Sequence, residues 1–422
     1  MIALLALNTI VLGLAAQAAP IAESNAGLFN LNGLSTNIVN SVEQLELNLK
    51  LDSLELTSNT DFPPIFNENP ELFKLHADLV NIESISHNEF GVSRYLQSYL
   101  HNLGLGLTLE VDSSNRNIYA YGGKNENSSV LLTSHIDTVP PYINYYIKEN
   151  KNDGSIEIHG RGSCDAKGSV AAQIIAAKEL LQDNLVTIDE LSFLFVFQEE
   201  VGGAGMKTAN DYFNKNQITW DTVIFGEPTE NKLAIGHKGI FMADVEVIGL
   251  ASHSGYPEVG IDANKILIEI MHELETYPWP TSESLNETTL NIGLIDAGTA
   301  SNVISPDAKC SVLLRTAVDA NEIASIVEKI IKKYESLAKE INYSIGVTDD
   351  PVSLDYQVEG FETYVASYAT DIPKLDHKNF KRYLYGPGSI LVAHGDNEYV
   401  TAASLLKAVE DYKKLILFSL RK

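Results

Sequence analysis

LLTSHIDTVP, residues 131–140, is an apolar run that ends in a histidine, with an aspartate two places on and a proline after it. A strand that carries His135 and Asp137 out of a hydrophobic segment has two readings. It is a polar strand end facing water, or it is a metal ligand beside a carboxylate that orients it. Residues two apart share one side of a strand, so Asp137 can accept from the second imidazole nitrogen of His135. The second reading implies a particular fold, because open α/β sheets bind their ligands at the carboxyl ends of strands.

The surrounding pattern agrees with that fold. NIYAYGG, SVLLTSHID, SFLFVFQ and DTVIFGE read as strands, and residues 167–181 read as a long helix between them. Two amphipathic patterns precede them, ELFKLHADLVNIESI and VSRYLQSYLHNLG, the second stopped by Gly104. Such alternation predicts an α/β domain with a mostly parallel sheet flanked by helices. Near Gly236 the pattern changes. KGIFMADVEVIG, DANKILIEIMHELE, TTLNIGLIDA, AKCSVLLRTA, ANEIASIVEKIIKKYESLAKE and INYSIGV run strand, helix, strand, strand, helix, strand. This βαββαβ order is a complete two-layer, ferredoxin-like unit. The α/β pattern resumes afterwards, so the unit reads as an insertion at 237–346 between main-domain segments 66–236 and 347–422.

Bulk properties narrow the function. The chain has 422 residues, more than one compact core usually holds, and its 45% hydrophobic and 20% charged composition is that of a globular protein. A net charge of −26 argues against a nucleic-acid partner, which needs a basic surface. MIALLALNTIVLGLAAQAAP resembles a secretory signal that ends in small residues, predicting cleavage after residue 18; an uncleaved anchor is the other reading. No other run is long enough to span a bilayer, so no membrane partner is expected. Residues 19–65 are polar and read as a pro-segment or a strap. Asn127, Asn286 and Asn342 head glycosylation sequons that fit a secretory route. Cys164 and Cys310 are the only cysteines, and their pairing is left open.

Five places in the α/β part set a metal-capable side chain at or just after an apolar strand. His135 is the first. Asp165 follows in GRGSCDAKGSVAA, where glycines let the backbone bend; helix capping is its ordinary alternative. SFLFVFQEEVGG places Glu199 and Glu200 together, read as an extended segment whose neighbours point to opposite sides. VIFGEPTE delivers Glu227, and SILVAHGDNEYV delivers His394. Paired carboxylates at a strand mouth repel, and a cation turns that repulsion into binding. Two histidines and three carboxylates, one of them shared, can hold two divalent ions, and the fourth carboxylate is left for chemistry. Nitrogen and oxygen donors without thiolate suit zinc, with cobalt or manganese as alternatives. His159 and His237 flank motif glycines and read as structural; His76, His87, His101, His272 and His377 stay outside the site.

These motifs, in this order and with the inserted domain, resemble the metal-binding motifs of the M20 metallopeptidase family, from about residue 70 to the end. The resemblance implies two Zn2+ ions bridged by Asp165, one completed by His135 and Glu227, the other by Glu200 and His394. Glu199 would be the general base acting on a water held between the ions, and Asp137 would support His135. The insertion would be a lid and homodimerisation domain whose His253, in LASHSG, polarises the scissile carbonyl, often across the dimer. Asn302 and Arg315 resemble substrate-holding positions, Arg315 for a carboxylate, and the loop around Gly388 would line the pocket through its backbone. The expected activity is that of a secreted carboxypeptidase. An N-acyl-amino-acid deacylase is the alternative reading, and a non-catalytic binding protein of the same fold is the third.

Overall fold

The computed structural model describes residues 62–108, 111–123, 126–376 and 379–421. The predicted signal segment and most of the predicted pro-segment or strap lie outside these residues, as does His377. Chain order runs through helices α1 (Pro70–Asn81) and α2 (Phe90–Asn102) to strands β1 (Gly106–Thr108), β2 (Ile118–Tyr121) and β3 (Val130–His135). Helix α3 (Lys167–Gln182), strand β4 (Leu191–Val196), helix α4 (Ala204–Asn216) and strand β5 (Thr222–Gly226) follow. Next come β6 (Gly239–Ile248), α5 (Ala263–Thr276), β7 (Thr289–Ala297), β8 (Asp307–Thr316), α6 (Ala320–Lys332) and β9 (Glu340–Asp349). The chain then returns through β10 (Lys381–Tyr385) and closes with α7 (Ala402–Ser419).

The main sheet has the order β1-β2-β4-β3-β5-β10. β4, β3, β5 and β10 are parallel, whereas β2 joins β4, and β1 joins β2, in antiparallel pairs. The sheet is mixed, its predicted parallel part running from β4 to the β10 edge. Its strands are apolar on both faces because both faces are covered. Leu132, Phe193, Phe195 and Ile224 pack with α1, α2, α3 and α7 on one side. Leu131, Leu194, Val196, Val223 and Phe225 pack with Met206, Ala209 and Phe213 of α4 on the other. Helix α1 begins where Pro70 can follow a cap: the Asn69 side chain accepts from the Leu72 amide, satisfying one of the unpaired first-turn donors.

The inserted segment forms an antiparallel sheet in the order β7-β8-β6-β9. Phe241, Ala243, Val245 and Val247 alternate onto one face and pack with Ile266, Leu267 and Ile270 of α5 and Ile323, Val327 and Ile330 of α6. This is the predicted ferredoxin-like unit. Helix α6 ends earlier than its apolar pattern suggests, at Lys332, and a short turn at Glu335–Leu337 leads to β9.

Candidate metal centre

β3, β4 and β5 run parallel, so their carboxyl ends open at one edge of the sheet. His135 is the last residue of β3 and lies level with Val196 of β4, while Ser134 lies level with Gly226 of β5. The turn holding Glu199 and Glu200 leaves β4 there, and Glu227 immediately follows β5. Asp165 comes from the loop between a short strand, Ile156–His159, and α3. His394 comes from the loop before the strand Tyr399–Thr401. Those two strands pair antiparallel with Tyr399 opposite His159, so both loops leave the same end of the ladder and meet over the sheet edge.

The result is two overlapping groups. One ligand atom from each of His135, Asp165 and Glu227 lies within 4.8 Å of the others, and the same holds for Asp165, Glu200 and His394. His135 Nε2 stands 3.0 Å from Asp165 Oδ1 and 3.8 Å from Glu227 Oε2. His394 Nε2 stands 3.3 Å from Asp165 Oδ2 and 3.0 Å from Glu200 Oε2. The two Asp165 oxygens therefore face opposite histidines. Glu200 Oε1 is buried without a hydrogen-bond partner, and a buried carboxylate oxygen left without a donor is one a cation would satisfy. The donor set is imidazole and carboxylate with no thiolate, which suits zinc, cobalt or manganese. The residues fit a pair of divalent ions.

Electrostatics point the same way. Burial raises the pKa of Glu199 and Glu227 well above the usual carboxylate range, and neighbouring acids add to the rise. Burial also raises Glu200, with Asp165 adding to it. Burial opposes ionisation of Asp165 as well, but hydrogen bonds from His135 and His394 outweigh it and hold that carboxyl below its ordinary value. His394 is pushed up to about 10, chiefly by its hydrogen bonds to Asp165 and Glu200. Without cations the cluster thus favours proton retention on surplus acids and on imidazole. Cations would displace those protons.

The surrounding contacts differ from the sequence reading in three respects. His135 Nδ1 lies 3.0 Å from the main-chain oxygen of Asp137 and 3.6 Å from its carboxylate, so the backbone carbonyl is the nearer partner. The Asp137 carboxylate accepts instead from the amides of Glu199 (3.0 Å) and Glu200 (3.3 Å) and from the Ser86 hydroxyl (2.8 Å). Glu199 and Glu200 do not continue an extended strand. They sit in a turn, closed by the Gly203 amide on the Gln198 carbonyl, and it is this turn that separates their side chains. Finally, Gly388 has no free backbone group with which to line a pocket. Its amide donates to Ser404 Oγ, its carbonyl accepts from the Glu230 amide, and a Cβ there would stand 2.5 Å from Cys164 Sγ.

Among the described residues no hydrogen-bond donor is paired with the Glu199 carboxylate. Arg315 is half-buried in β8 and within electrostatic reach of it. His253 is exposed on the short strand Ser252–His253, which pairs with Val303–Ile304. Its Nδ1 accepts from the Gly255 amide at 3.0 Å, so a neutral ring carries its proton on Nε2, free to donate. Asn302 is brought beside it through the Ser254 amide on the Asn302 carbonyl. No hydrogen bond or ion pair among the described residues joins His253 or Asn302 to the two groups.

The remaining sequence-predicted residues lie elsewhere. His159 stacks on Tyr146 and bonds Glu157, while His237 bonds the Lys238 carbonyl and Thr370. Both are buried among structural partners. Asn127, Asn286 and Asn342 are exposed, with the Asn127 side chain accepting from the Thr219 amide. Cys164 and Cys310 are buried and unpaired.

Several residues near the site escaped the sequence reading. Arg161 and Glu398 form a buried ion pair, and Lys167, wholly buried, donates to the carbonyls of Leu79 and Ile82. Asp371, pushed up to about 6 by burial, lines a small cavity with Thr133, His135 and Glu227. The bracketed GRG and a glutamate four places after His394 were the available signals for Arg161 and Glu398.

A double cluster of imidazoles and carboxylates at the ends of parallel strands, with a ferredoxin-like insertion, defines the class: a metal-dependent amidohydrolase. The chain belongs to the M20 peptidase family. A peptidase M20 domain-containing protein of Schizosaccharomyces pombe is 45% identical over 377 residues, covering 88% of this chain and 90% of the relative. A protein of Emericella nidulans named probable carboxypeptidase is 40% identical over 405 residues, covering 87% and 94%. Residues 235–342 match the peptidase dimerisation domain model. Among solved structures, an M20 family metallo-carboxypeptidase from Sulfolobus solfataricus superposes with a TM-score of 0.65 at 18% identity, covering 83% of this chain and all of that one. A Bacillus subtilis protein described as a dinuclear metal binding peptidase from the M20 family gives a TM-score of 0.60 at 16% identity, covering 83% and 98%.

Proposed function

We propose that this protein is a two-zinc carboxypeptidase that enters the secretory route and acts as a homodimer through its inserted domain. The observation that carries the reading is Asp165 shared between two ligand groups, with the unpaired Glu199 carboxylate beside them. His135 and Glu227 would hold one ion with Asp165, and Glu200 and His394 would hold the other. Bound there, the ions would supply Lewis-acid polarisation and acidify water.

The protein's own groups account for the rest. Asp137 fixes the turn that presents Glu199, so the base is positioned by two backbone hydrogen bonds. Glu199 takes the proton of the attacking water and returns it to the leaving amine. His253, with Nε2–H free, donates to the carbonyl oxygen as charge develops there. Arg315 holds the free carboxylate of the terminal residue by paired hydrogen bonds. The relatives named probable carboxypeptidase support the substrate class, and the dimerisation-domain match supports the dimer. The leader-like first residues and the exposed sequons support secretion.

The test is a matched panel of dipeptides, C-terminally amidated dipeptides and N-acetylated amino acids, assayed with zinc. Hydrolysis of free-acid dipeptides but not of their amides supports the reading. Preference for N-acetylated amino acids would replace it with a deacylase.

A further inference from the structure

We infer that the buried Arg161–Glu398 pair positions the second ion-binding group, and that Arg161 in particular sets the place of His394. The inference rests on the two-ion reading above and goes beyond its ligands.

His394 is the exposed member of the cluster. Its side chain is 53% accessible, its φ is +63°, and residues 394–397 around it are all exposed. Leu391 of the same loop is 85% exposed. Apolar packing therefore does not fix this loop. Arg161 does. Its guanidinium, 1% exposed, donates to the main-chain carbonyls of His394 (3.3 Å) and Gly395 (3.2 Å), and its Nε donates to Pro141 (3.2 Å). The planar fork of five N–H groups allows one side chain to reach adjacent carbonyls and a carboxylate together.

Glu398 completes the arrangement. Oε2 accepts from Arg161 at 2.6 Å, while Oε1 accepts from the amides of Gly162 (2.9 Å), Cys164 (3.2 Å) and Asp165 (3.2 Å). One carboxylate thus gathers the loop that carries Asp165, and its ionic partner gathers the loop that carries His394. The two roles differ. Arg161 grips the His394 loop directly and reaches the Asp165 backbone only through Glu398, whereas Glu398 itself holds the backbone of the ligand shared by both groups. A buried ion pair is a poor source of net stability, since apolar replacements often do as well. Holding two ligand loops in register is the function its geometry offers. Neither residue belongs to the two ligand groups, and each acts through the backbone of a ligand loop, so both are positioning residues.

The experiment is a Co2+ titration of metal-depleted protein, read by visible absorbance and checked by mass-spectrometric metal content. The proteins are the wild type, R161K and the charge-free pair R161Q/E398Q, with thermal melts on each. The double variant leaves no unpaired buried charge and guards against simple misfolding of the single one. The wild type should bind two ions. R161K should bind one as tightly as the wild type and the other about 10- to 100-fold more weakly, the scale found when partners orienting a ligand are lost. Excess metal should restore its turnover. In R161Q/E398Q both steps should weaken. Two unchanged steps in R161K and in the double variant, or a lowered melting temperature with unchanged metal affinity, would overturn this inference alone. A wild type that binds no second ion would overturn the two-ion reading along with it.

Discussion

The two ligand groups share Asp165 yet are built differently. His135, Asp165 and Glu227 are all buried; His135 ends one central strand and Glu227 immediately follows another. Asp165, Glu200 and His394 run from buried to exposed, and all three come from loops or turns. Strand ends are placed by the packing of the whole sheet, so His135 and Glu227 are fixed as soon as the core forms. The second has to be held by hydrogen bonds made one at a time: Asp137 on the Glu199–Glu200 turn, Glu398 on the Asp165 loop, Arg161 on the His394 loop. A rigid half and an assembled half should answer differently to mutation, to metal supply and to pH.

The largest effect should come from the residue that erases the distinction. Asp165→Ala removes an oxygen from each group, so both ions should be lost. Turnover should fall by about four orders of magnitude, in keeping with several kcal/mol of metal-supplied stabilisation. Metal analysis beside kcat checks it, and an active variant that keeps either ion at full affinity would break the shared-ligand account.

Next is His253, which belongs to neither group. His253→Ala should lower kcat about 100- to 1000-fold, the usual scale for losing one donor to a developing oxyanion. Both ions should remain. Mixing this variant with an Arg315→Ala variant asks whether the imidazole acts across a dimer. Recovered activity in the mixture would show that it does, and absence of recovery would keep His253 within its own chain.

A pH effect of comparable free energy should attach to the buried side. His76 lies beneath the Asp165 loop, its Nε2 2.9 Å from the Ser163 carbonyl, and burial lowers its pKa to about 4. The unfolded chain takes up this proton near pH 6.5 and the folded one only near 4, so protons favour unfolding below about 6.5. The contribution is intact above that pH and is lost progressively down to about 4, amounting to about 3 kcal/mol at most. Urea melts between pH 4 and 7 should show the loss, and His76→Gln should flatten it. An unchanged slope in that variant would remove His76 from the account.

The smallest effect should separate the halves most clearly. His394→Ala should weaken one ion at least about tenfold, since loss of an orienting partner alone costs that much, and excess metal should restore part of the activity. His135→Ala should resist such rescue, because its place is taken from the packed end of β3. Equal rescue of both would mean that the two halves do not differ in the way their burial suggests.

The same division explains what could be read from the sequence. His135 and Glu227 were legible because each comes at or just after an apolar run, and the inserted unit because alternation and helical periodicity mark each element. Asp165 and His394 showed as residue types in suitable loops. What assembles them was not legible. Arg161 and Glu398 stand 237 positions apart, and Asp137 reaches Glu199 across 62. Hydrogen bonds between distant loops leave no period in a sequence. The extended reading of Glu199 and Glu200 failed for a related reason: an apolar run does not say where its strand stops, and here β4 ends at Val196 and a glycine-closed turn follows. Gly388 reads as backbone lining of the pocket, but its φ of +80° and the Cys164 Sγ that a Cβ would strike make it a packing glycine.

The central claim is that adjacent glutamates on one turn have separate duties, Glu200 toward an ion and Glu199 toward the proton. Zinc content and kcat measured side by side for Glu200→Ala and Glu199→Gln test it directly. Glu200→Ala should lose or weakly hold one zinc. Glu199→Gln should keep two, bind substrate normally, and turn over at least about a hundredfold more slowly, the lower end of what general-base loss costs. A fully active Glu199→Gln enzyme, or one that has lost a zinc while Glu200→Ala retains both, would contradict the account.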